Sequence, residues 1–319
     1  MEGSRPPRRL EVRNGDRAIA LTPWGYRALL EFRRGRARSA DVPHIGCFLD
    51  GDGADRGFTS YAGTASLQRL VLVSGVAPGD AVVEVGAGTG QLTFEGGLAH
   101  AAGRTGLVLA TDPSAPWLQV LARKAAETDN VSVHALVAPA EALPVADGQA
   151  DVVVGSKFLH YCEDRVAALQ EMVRVARPGG TVAVLAATGG QLGSGWMRVV
   201  APLIVAATPF MGQAGARSLT HAPGEVATAM RAAGLEQVTA TPLTEPAMCI
   251  DYHITMRWVA QLGLLEGYVR SVPEAEQRDA LIETAYDDIR RMFDDTQPEE
   301  RSFVYHFEIV RGRRPSGQR

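Results

Sequence analysis

Ala81-Val82-Val83-Glu84-Val85-Gly86-Ala87-Gly88-Thr89-Gly90 is the stretch that decides how this chain folds. The apolar run that opens it reads as a buried parallel strand. The glycines Gly86, Gly88 and Gly90 let the chain turn sharply and let a ligand come close to the backbone. A strand, a glycine turn and a helix build a nucleotide-binding crevice at the edge of a parallel sheet. A dinucleotide site wants Gly-x-Gly-x-x-Gly, and here Gln91 stands at the third glycine position. Glu84 adds a second constraint. A diphosphate needs a helix N-terminus and positive potential, so a carboxylate at the strand tip is poorly placed for it. The same carboxylate is well placed for an ammonium group. The pattern therefore suits a cationic, phosphate-free nucleoside.

Working outward, strand and helix signals alternate. Glu11 to Leu21 reads as a hairpin about Asn14-Gly15. Thr22-Pro23 caps a helix that runs to about Arg34. Thr64 to Ser74 is helical and leads through Pro78-Gly79-Asp80 into the first strand. Leu107 to Thr111 is a second strand that ends at Asp112, and Ala115 to Glu127 is a helix. Val131 to Leu136 and Asp151 to Val154 are strands, and Val166 to Ala176 is a helix. Arg177-Pro178-Gly179-Gly180 turns into a strand at Thr181 to Ala186. This alternation predicts a doubly wound parallel sheet. A glycine-rich segment, Gly189 to Gly195, then precedes the apolar run Trp196 to Phe210. A helix near Glu225 to Ala233, a strand at Gln237 to Pro242, a mainly helical stretch over 246–295 and a last, edge strand at Phe303 to Arg311 complete the chain. Residues 1–63 form an N-terminal extension and cap. Residues 64–319 form the main domain, with lid insertions at about 189–222 and 244–300.

Bulk properties narrow the function classes. The chain has 319 residues, 46% hydrophobic and 21% charged, with a net charge of -4. These values fit a globular domain with an ample core and give no reason to expect nucleic acid as the main partner. Cys47, Cys162 and Cys249 are scattered, so neither a disulfide framework nor a metal site follows, and a cytoplasmic location is expected. The apolar run from Val199 is interrupted by Pro202 and Pro209 and is too short to span a bilayer. Asp50, Asp52 and Asp55 lack the glycine and glutamate of a calcium loop and read as a solvated turn. Only two lysines occur, Lys124 and Lys157, against abundant arginine, which reads as genomic composition.

The Glu-x-Gly-x-Gly-x-Gly order resembles the first motif of the class I S-adenosylmethionine-dependent methyltransferases. That resemblance covers residues 60–245 and the last strand. It implies a Rossmann-like, seven-stranded, mostly parallel sheet with its final strand antiparallel, and S-adenosyl-L-methionine as cofactor. Glu84, Gly86, Ala87, Gly88, Thr89 and Gly90 would hold the methionine end. Asp112, with Pro113 beside it, would take the ribose hydroxyls, although a helix N-cap is a compatible reading of Asp112. Ala140 and Glu141 resemble the adenine-flanking segment, but Pro139 replaces the acid that usually precedes it. Tyr61 is placed like the aromatic that covers the cofactor in related enzymes, and Ser156 lies at the cofactor edge.

Gly155-Ser156-Lys157-Phe158-Leu159-His160-Tyr161 resembles the Leu-His-His segment of ubiquinone/menaquinone-type and related small-molecule methyltransferases. His160 and Tyr161 are thus the candidate catalytic residues at the acceptor. His160 could serve as a general base or as a structural residue bonded to backbone, and Lys157 receives no role. Tyr252, His253, Trp258 and Tyr268 could line an acceptor pocket or pack helices. The resemblance implies methyl transfer to carbon or oxygen of a small, partly apolar acceptor such as a natural product or quinone, and leaves a homodimer open. Two other readings stand beside it: a protein that binds the cofactor without transferring methyl, and a protein or RNA methyltransferase using the basic residues 1–9.

Overall fold

A computed structural model of the chain describes residues 10–40, 64–128, 132–207, 221–248 and 272–317. Nine strands carry the described fold: β1 (Glu11–Asn14), β2 (Arg17–Ala20), β3 (Ala81–Val85), β4 (Leu107–Asp112), β5 (Val133–Val137), β6 (Ala150–Ser156), β7 (Ala176–Leu192), β8 (Glu236–Met248) and β9 (Ser302–Arg313). The helices are α1 (Pro23–Arg33), α2 (Thr64–Ser74), α3 (Leu98–Ala102), α4 (Ala115–Glu127), α5 (Arg165–Val175), α6 (Ser194–Ala207), α7 (Glu225–Ala232) and α8 (Ala275–Asp295).

Seven strands form one sheet in the order β5-β4-β3-β6-β7-β9-β8. The first five are mutually parallel, and β9 runs antiparallel to both of its neighbours. The sheet is therefore seven-stranded and mostly parallel, with helices on both faces. β3 shows why. All five of its residues are buried. Ala81, Val83 and Val85 pack in one core with Leu29 of α1, Met172 of α5 and Met230 of α7, whereas Val82 packs in the other with Leu70 of α2 and Leu118 of α4. A strand sandwiched in this way must be apolar on both sides, which is what the opening run supplies. The order reverses direction at β3, where β4 leads one way and β6 the other, so the crevice opens beyond the tips of β3, β4 and β6.

Local chemistry sets the element ends. Thr22 accepts the Gly25 amide and caps α1, with Pro23 as its first residue. Ser114 caps α4, and Asp164 caps α5 by accepting from Val166 and Ala167. The N-terminal hairpin is pinned to the sheet because Asn14 donates to the carbonyls of Arg104 and Gly106. No helix among the described residues is long and apolar enough to cross a membrane.

Four expectations change. The last strand is not an edge: β9 lies between β7 and β8, and Phe307 to Val310 are buried. β8 takes the edge instead, and its Pro242 and Pro246 suit a strand with one unpaired side. The glycine-rich segment does not break away at 189. β7 continues to Leu192, paired with β9 across a bulge between Ala187 and Gly189, and β8 continues beside them to Met248. Finally, the glycine loop leads into successive turns at 88–96 rather than directly into a helix, and α3 begins only at Leu98. Gly96 and Gly97 weaken a helix there.

The two insertions meet. α6 buries Trp196, Val199, Val200 and Leu203 against Ala285, Ile289 and Met292 of α8. Trp196 Nε1 donates to the Arg301 carbonyl at 3.0 Å. These helices form a small core of their own, joined to the extended β7-β9-β8 ribbon.

Candidate active site

The glycine loop is stapled between two strand tips. Ala87 N–H donates to the Thr111 carbonyl, Thr111 Oγ1 donates to the Glu84 carbonyl, and Gly88 N–H donates to Asp112 Oδ2 at 2.9 Å. Gly86, Gly88 and Gly90 all have positive φ, the left-handed region where glycine is favoured. At Gly86 the requirement is double, because a Cβ would stand 2.3 Å from the Cβ of Phe158.

Two carboxyls flank this loop. Glu84 is only 1% exposed and accepts from Thr93 Oγ1 at 2.6 Å. Burial, with Asp112 and Glu95 nearby, pushes its pKa up to about 8, against the lowering effect of the Thr93 bond. Asp112 is 5% exposed and accepts the Ser114 N–H as well as that of Gly88. Burial raises it to about 6 although both bonds favour the anion. Asp112 thus keeps one free lone-pair direction on each oxygen while holding the loop. Two buried carboxyls beside a bare backbone loop fit a ligand that brings positive charge and hydroxyl donors. Thr89 Oγ1 and Ser156 Oγ, both buried without a hydrogen-bond partner, are further polar groups at the same strand edge.

The remaining cofactor candidates divide. Pro113 sits at the β4 tip, and its carbonyl accepts the Ala40 amide, bringing the N-terminal segment across that tip. Ala140 is buried in the core beside β5. Glu141 is engaged elsewhere: its Oε1 accepts from the Glu163 and Asp164 amides, tying the segment after β5 to the start of α5. Tyr61 lies outside the described residues, as do Asp50, Asp52, Asp55, residues 1–9 and the Tyr252, His253, Trp258 and Tyr268 group.

On the acceptor side, His160 and Tyr161 share a short 3-10 turn, with ring centroids 4.0 Å apart. Tyr161 is 36% exposed, whereas His160 Nδ1 is buried without a partner. Burial, reinforced by His221, Arg165 and Lys157, lowers the His160 pKa to about 3. The imidazole is therefore neutral at every physiological pH and a weak proton acceptor, which favours a fixed polar contact over a base. Sequence reasoning missed two neighbours. His221 is 3% exposed; its amide donates to the Ala187 carbonyl at the β7 bulge, Arg165 lies 3.4 Å from its Nδ1, and its Nε2 has no partner. Lys157 follows β6 directly, with φ +55.

Residues 83–184 match the family described as a methyltransferase domain, a range that runs from β3 into β7 and includes Glu84, the glycine loop, Asp112 and His160. That match covers about a third of the chain. The crystal structure of YcgJ from Bacillus subtilis superposes with a TM-score of 0.52 at 16% identity, over 80% of this chain and all of that one, a likeness of fold alone. Over 120 residues the chain is 36% identical to an uncharacterized protein of Mycobacterium tuberculosis, covering 37% of this chain and 41% of that protein. Over 110 residues it is 42% identical to the ubiquinone/menaquinone biosynthesis C-methyltransferase of Burkholderia mallei, covering 34% and 44% respectively. The chain thus spans less than half the length of these curated relatives.

Proposed function

We propose that this protein binds S-adenosyl-L-methionine through the β3–β4 edge and methylates carbon or oxygen of a small, partly apolar acceptor. The observation that carries this reading is the buried Glu84–Asp112 pair on either side of the Gly86–Gly90 loop. Glu84 would ionise to receive the amino group, and Asp112 would receive ribose hydroxyls. The cofactor supplies a methyl group already activated by the sulfonium charge, and its sulfur keeps the electron pair of the broken bond. The protein's task is then alignment and exclusion of water. Phe158, packed over Gly86, closes the loop from the β6 side. His160 and Tyr161 would contact the acceptor, and the α6–α8 pair, with residues 1–63, would form its cover. The likeness to a quinone C-methyltransferase supports an aromatic or quinol acceptor.

The test is production of S-adenosylhomocysteine from S-adenosylmethionine in the presence of a series of phenols and hydroquinones, followed by mass spectrometry. Acceptor-dependent product supports methyl transfer. Tight binding of S-adenosylhomocysteine with no turnover on any acceptor favours a protein that uses the cofactor without transferring methyl.

A further inference from the structure

Positive charge is concentrated in α1 and the segment that leaves it. Over residues 23–40, Arg27, Arg33, Arg34, Arg36 and Arg38 stand against a single acid, Glu31. The whole chain has a net charge of -4, so this excess is local. All five arginines are exposed. Glu31 pairs with Arg34 at 3.3 Å and with Arg36 at 2.9 Å. Arg33 Nη2 lies 3.4 Å from His134 Nδ1 of β5. Among the described residues, Arg27 and Arg38 have no acidic partner.

The fold fixes which way this charge points. The inner side of α1 carries Gly25 and Leu29, both buried. A Cβ at Gly25 would stand 2.4 Å from the Pro144 carbonyl oxygen, so the helix lies flush on that turn. Tyr26 and Phe32 pack against the two cores. Positions 24, 27, 31 and 34 follow the three- and four-residue spacing of one helix face. Trp24, Arg27 and Arg34 are exposed along it, and Trp24 is 37% exposed. The run beyond α1 is anchored as well. Ser39 Oγ accepts the Ala115 amide at 3.1 Å, and the Ala40 amide donates to the Pro113 carbonyl at 2.9 Å. The basic face therefore borders the β4 tip that carries Asp112. The opposite charge lies elsewhere. α8 carries seven carboxylates against three arginines and packs on α6, which follows β7, whereas α1 lies along the edge strand β5.

We propose that the face running from Trp24 to Arg38 docks this protein on an anionic lipid surface. A helix that shows arginines and an indole on one side suits the headgroup layer. Its guanidinium groups reach the lipid phosphates while their stems and the Trp24 ring lie on the apolar boundary. The charge of such a surface attracts clustered basic side chains additively. A nucleic acid would call instead for a groove along its backbone and several stacking rings. Trp24 is the one exposed aromatic of α1, on the convex side of a helix. The acidic α8 is repelled by the same surface, so the molecule docks with its β5 side down and the α6–α8 pair away from the lipid. This orientation brings the rim of the crevice at the β4 tip next to the headgroups. The docking is reversible and weakens with salt, because the attraction is screened over about 10 Å at moderate ionic strength. It does not depend on which reaction the crevice carries out.

The experiment floats the full chain with vesicles of phosphatidylcholine alone and of phosphatidylcholine with about a third phosphatidylglycerol. The protein should rise with the anionic vesicles at low salt, stay behind with the neutral ones, and be released as salt is added. Arg27→Gln and Arg38→Gln should each weaken partitioning about fivefold. Their melting temperatures should match the wild type, since both side chains are exposed. Brominated lipid should quench the wild-type indole fluorescence, and Trp24→Phe should remove most of that quenching. Equal flotation with the two kinds of vesicle overturns the proposal. So does binding that Arg27→Gln and Arg38→Gln leave unchanged, because the charge responsible then lies elsewhere. Absence of flotation overturns it too, whether the face is then found to take single-stranded RNA or, by light scattering at low salt, the acidic α8 of a second copy. Where a variant does not fold, the wild-type comparison of the two vesicles still decides.

Discussion

At the scale of single residues, Glu84 sets stability against function. A carboxyl whose pKa is raised by folding costs stability wherever the unfolded chain ionises and the folded one does not. For Glu84 that window opens near 4.5 and closes near 8. Asp112 adds a narrower one, from 3.8 to about 6. The ligand-free protein should therefore lose stability as pH rises through this range. Glu84→Gln keeps an acceptor for Thr93 and removes the ionisation. We expect it to stabilise the ligand-free protein by roughly 2–4 kcal/mol at pH 7.5 and by much less at pH 5, read from denaturant melts. The same variant should lose cofactor binding. A gain that does not vary with pH would contradict the assignment of charge as the cause. Wild-type protein should also release about one proton on binding S-adenosylmethionine at pH 7, because the incoming cation lets Glu84 ionise. Titration calorimetry in two buffers of different ionisation heat measures this, and a binding heat that is the same in both buffers would contradict it.

Glu84, Asp112 and the three glycines were legible in the sequence because residue type and strand-end position are enough to recognise them. Lys157 was not. Its left-handed turn is held by the Leu185 carbonyl of β7, which the Lys157 amide meets only in the folded sheet. His221 was invisible for the same reason, since the β7 bulge brings it to Arg165 and the neighbourhood of His160. Glu141 shows the converse: a motif placed it at adenine, while its carboxylate serves two amides of the next helix.

At the scale of elements, the glycine loop and the α6–α8 pair make separable predictions. Gly86→Ala forces a side chain into the left-handed region and against Phe158. It should cost about 2–5 kcal/mol, and Phe158→Gly in the same background, which removes the Cβ it meets, should recover the steric part. Gly15→Ala has a similar φ but open space around it, so it should cost only about 1–2 kcal/mol. Equal losses in thermal melts at the two glycines would contradict the role given to Phe158. Trp196→Ala removes a buried ring of α6 and its bond to Arg301. It should weaken the α6–α8 core by about 3–5 kcal/mol. Amide exchange should accelerate in α6 and α8 and stay slow in β3 and β4, with S-adenosylhomocysteine affinity unchanged. Loss of protection throughout the sheet would show that the α6–α8 pair and the sheet are one cooperative unit.

The bounds of α2, α4 and β4 followed from caps and apolar periodicity, which are local signals. The place of β9 did not, because alternation describes a strand's faces and says nothing of its neighbours. The prolines of β8 were the overlooked clue, since they mark the strand that cannot be internal.

At the scale of the whole molecule, the proposed chemistry and its proposed cover fall at different parts of one sheet. The parallel strands β3, β4 and β6 bring Glu84, the glycine loop, Asp112 and Lys157 to a single edge. The antiparallel ribbon at the other end carries α6 and α8. The alternating strand and helix signals made the first part readable from sequence, and the insertions hid the second, because their apolar faces find each other only in three dimensions. The account stands on what occupies the β3–β4 edge. Calorimetric titration of the full chain with S-adenosylhomocysteine, alongside NADH, tests that most directly. The account predicts saturable one-to-one binding of S-adenosylhomocysteine, its loss in Glu84→Gln, and no heat from NADH. No binding of the nucleoside, or binding of NADH in its place, would contradict it.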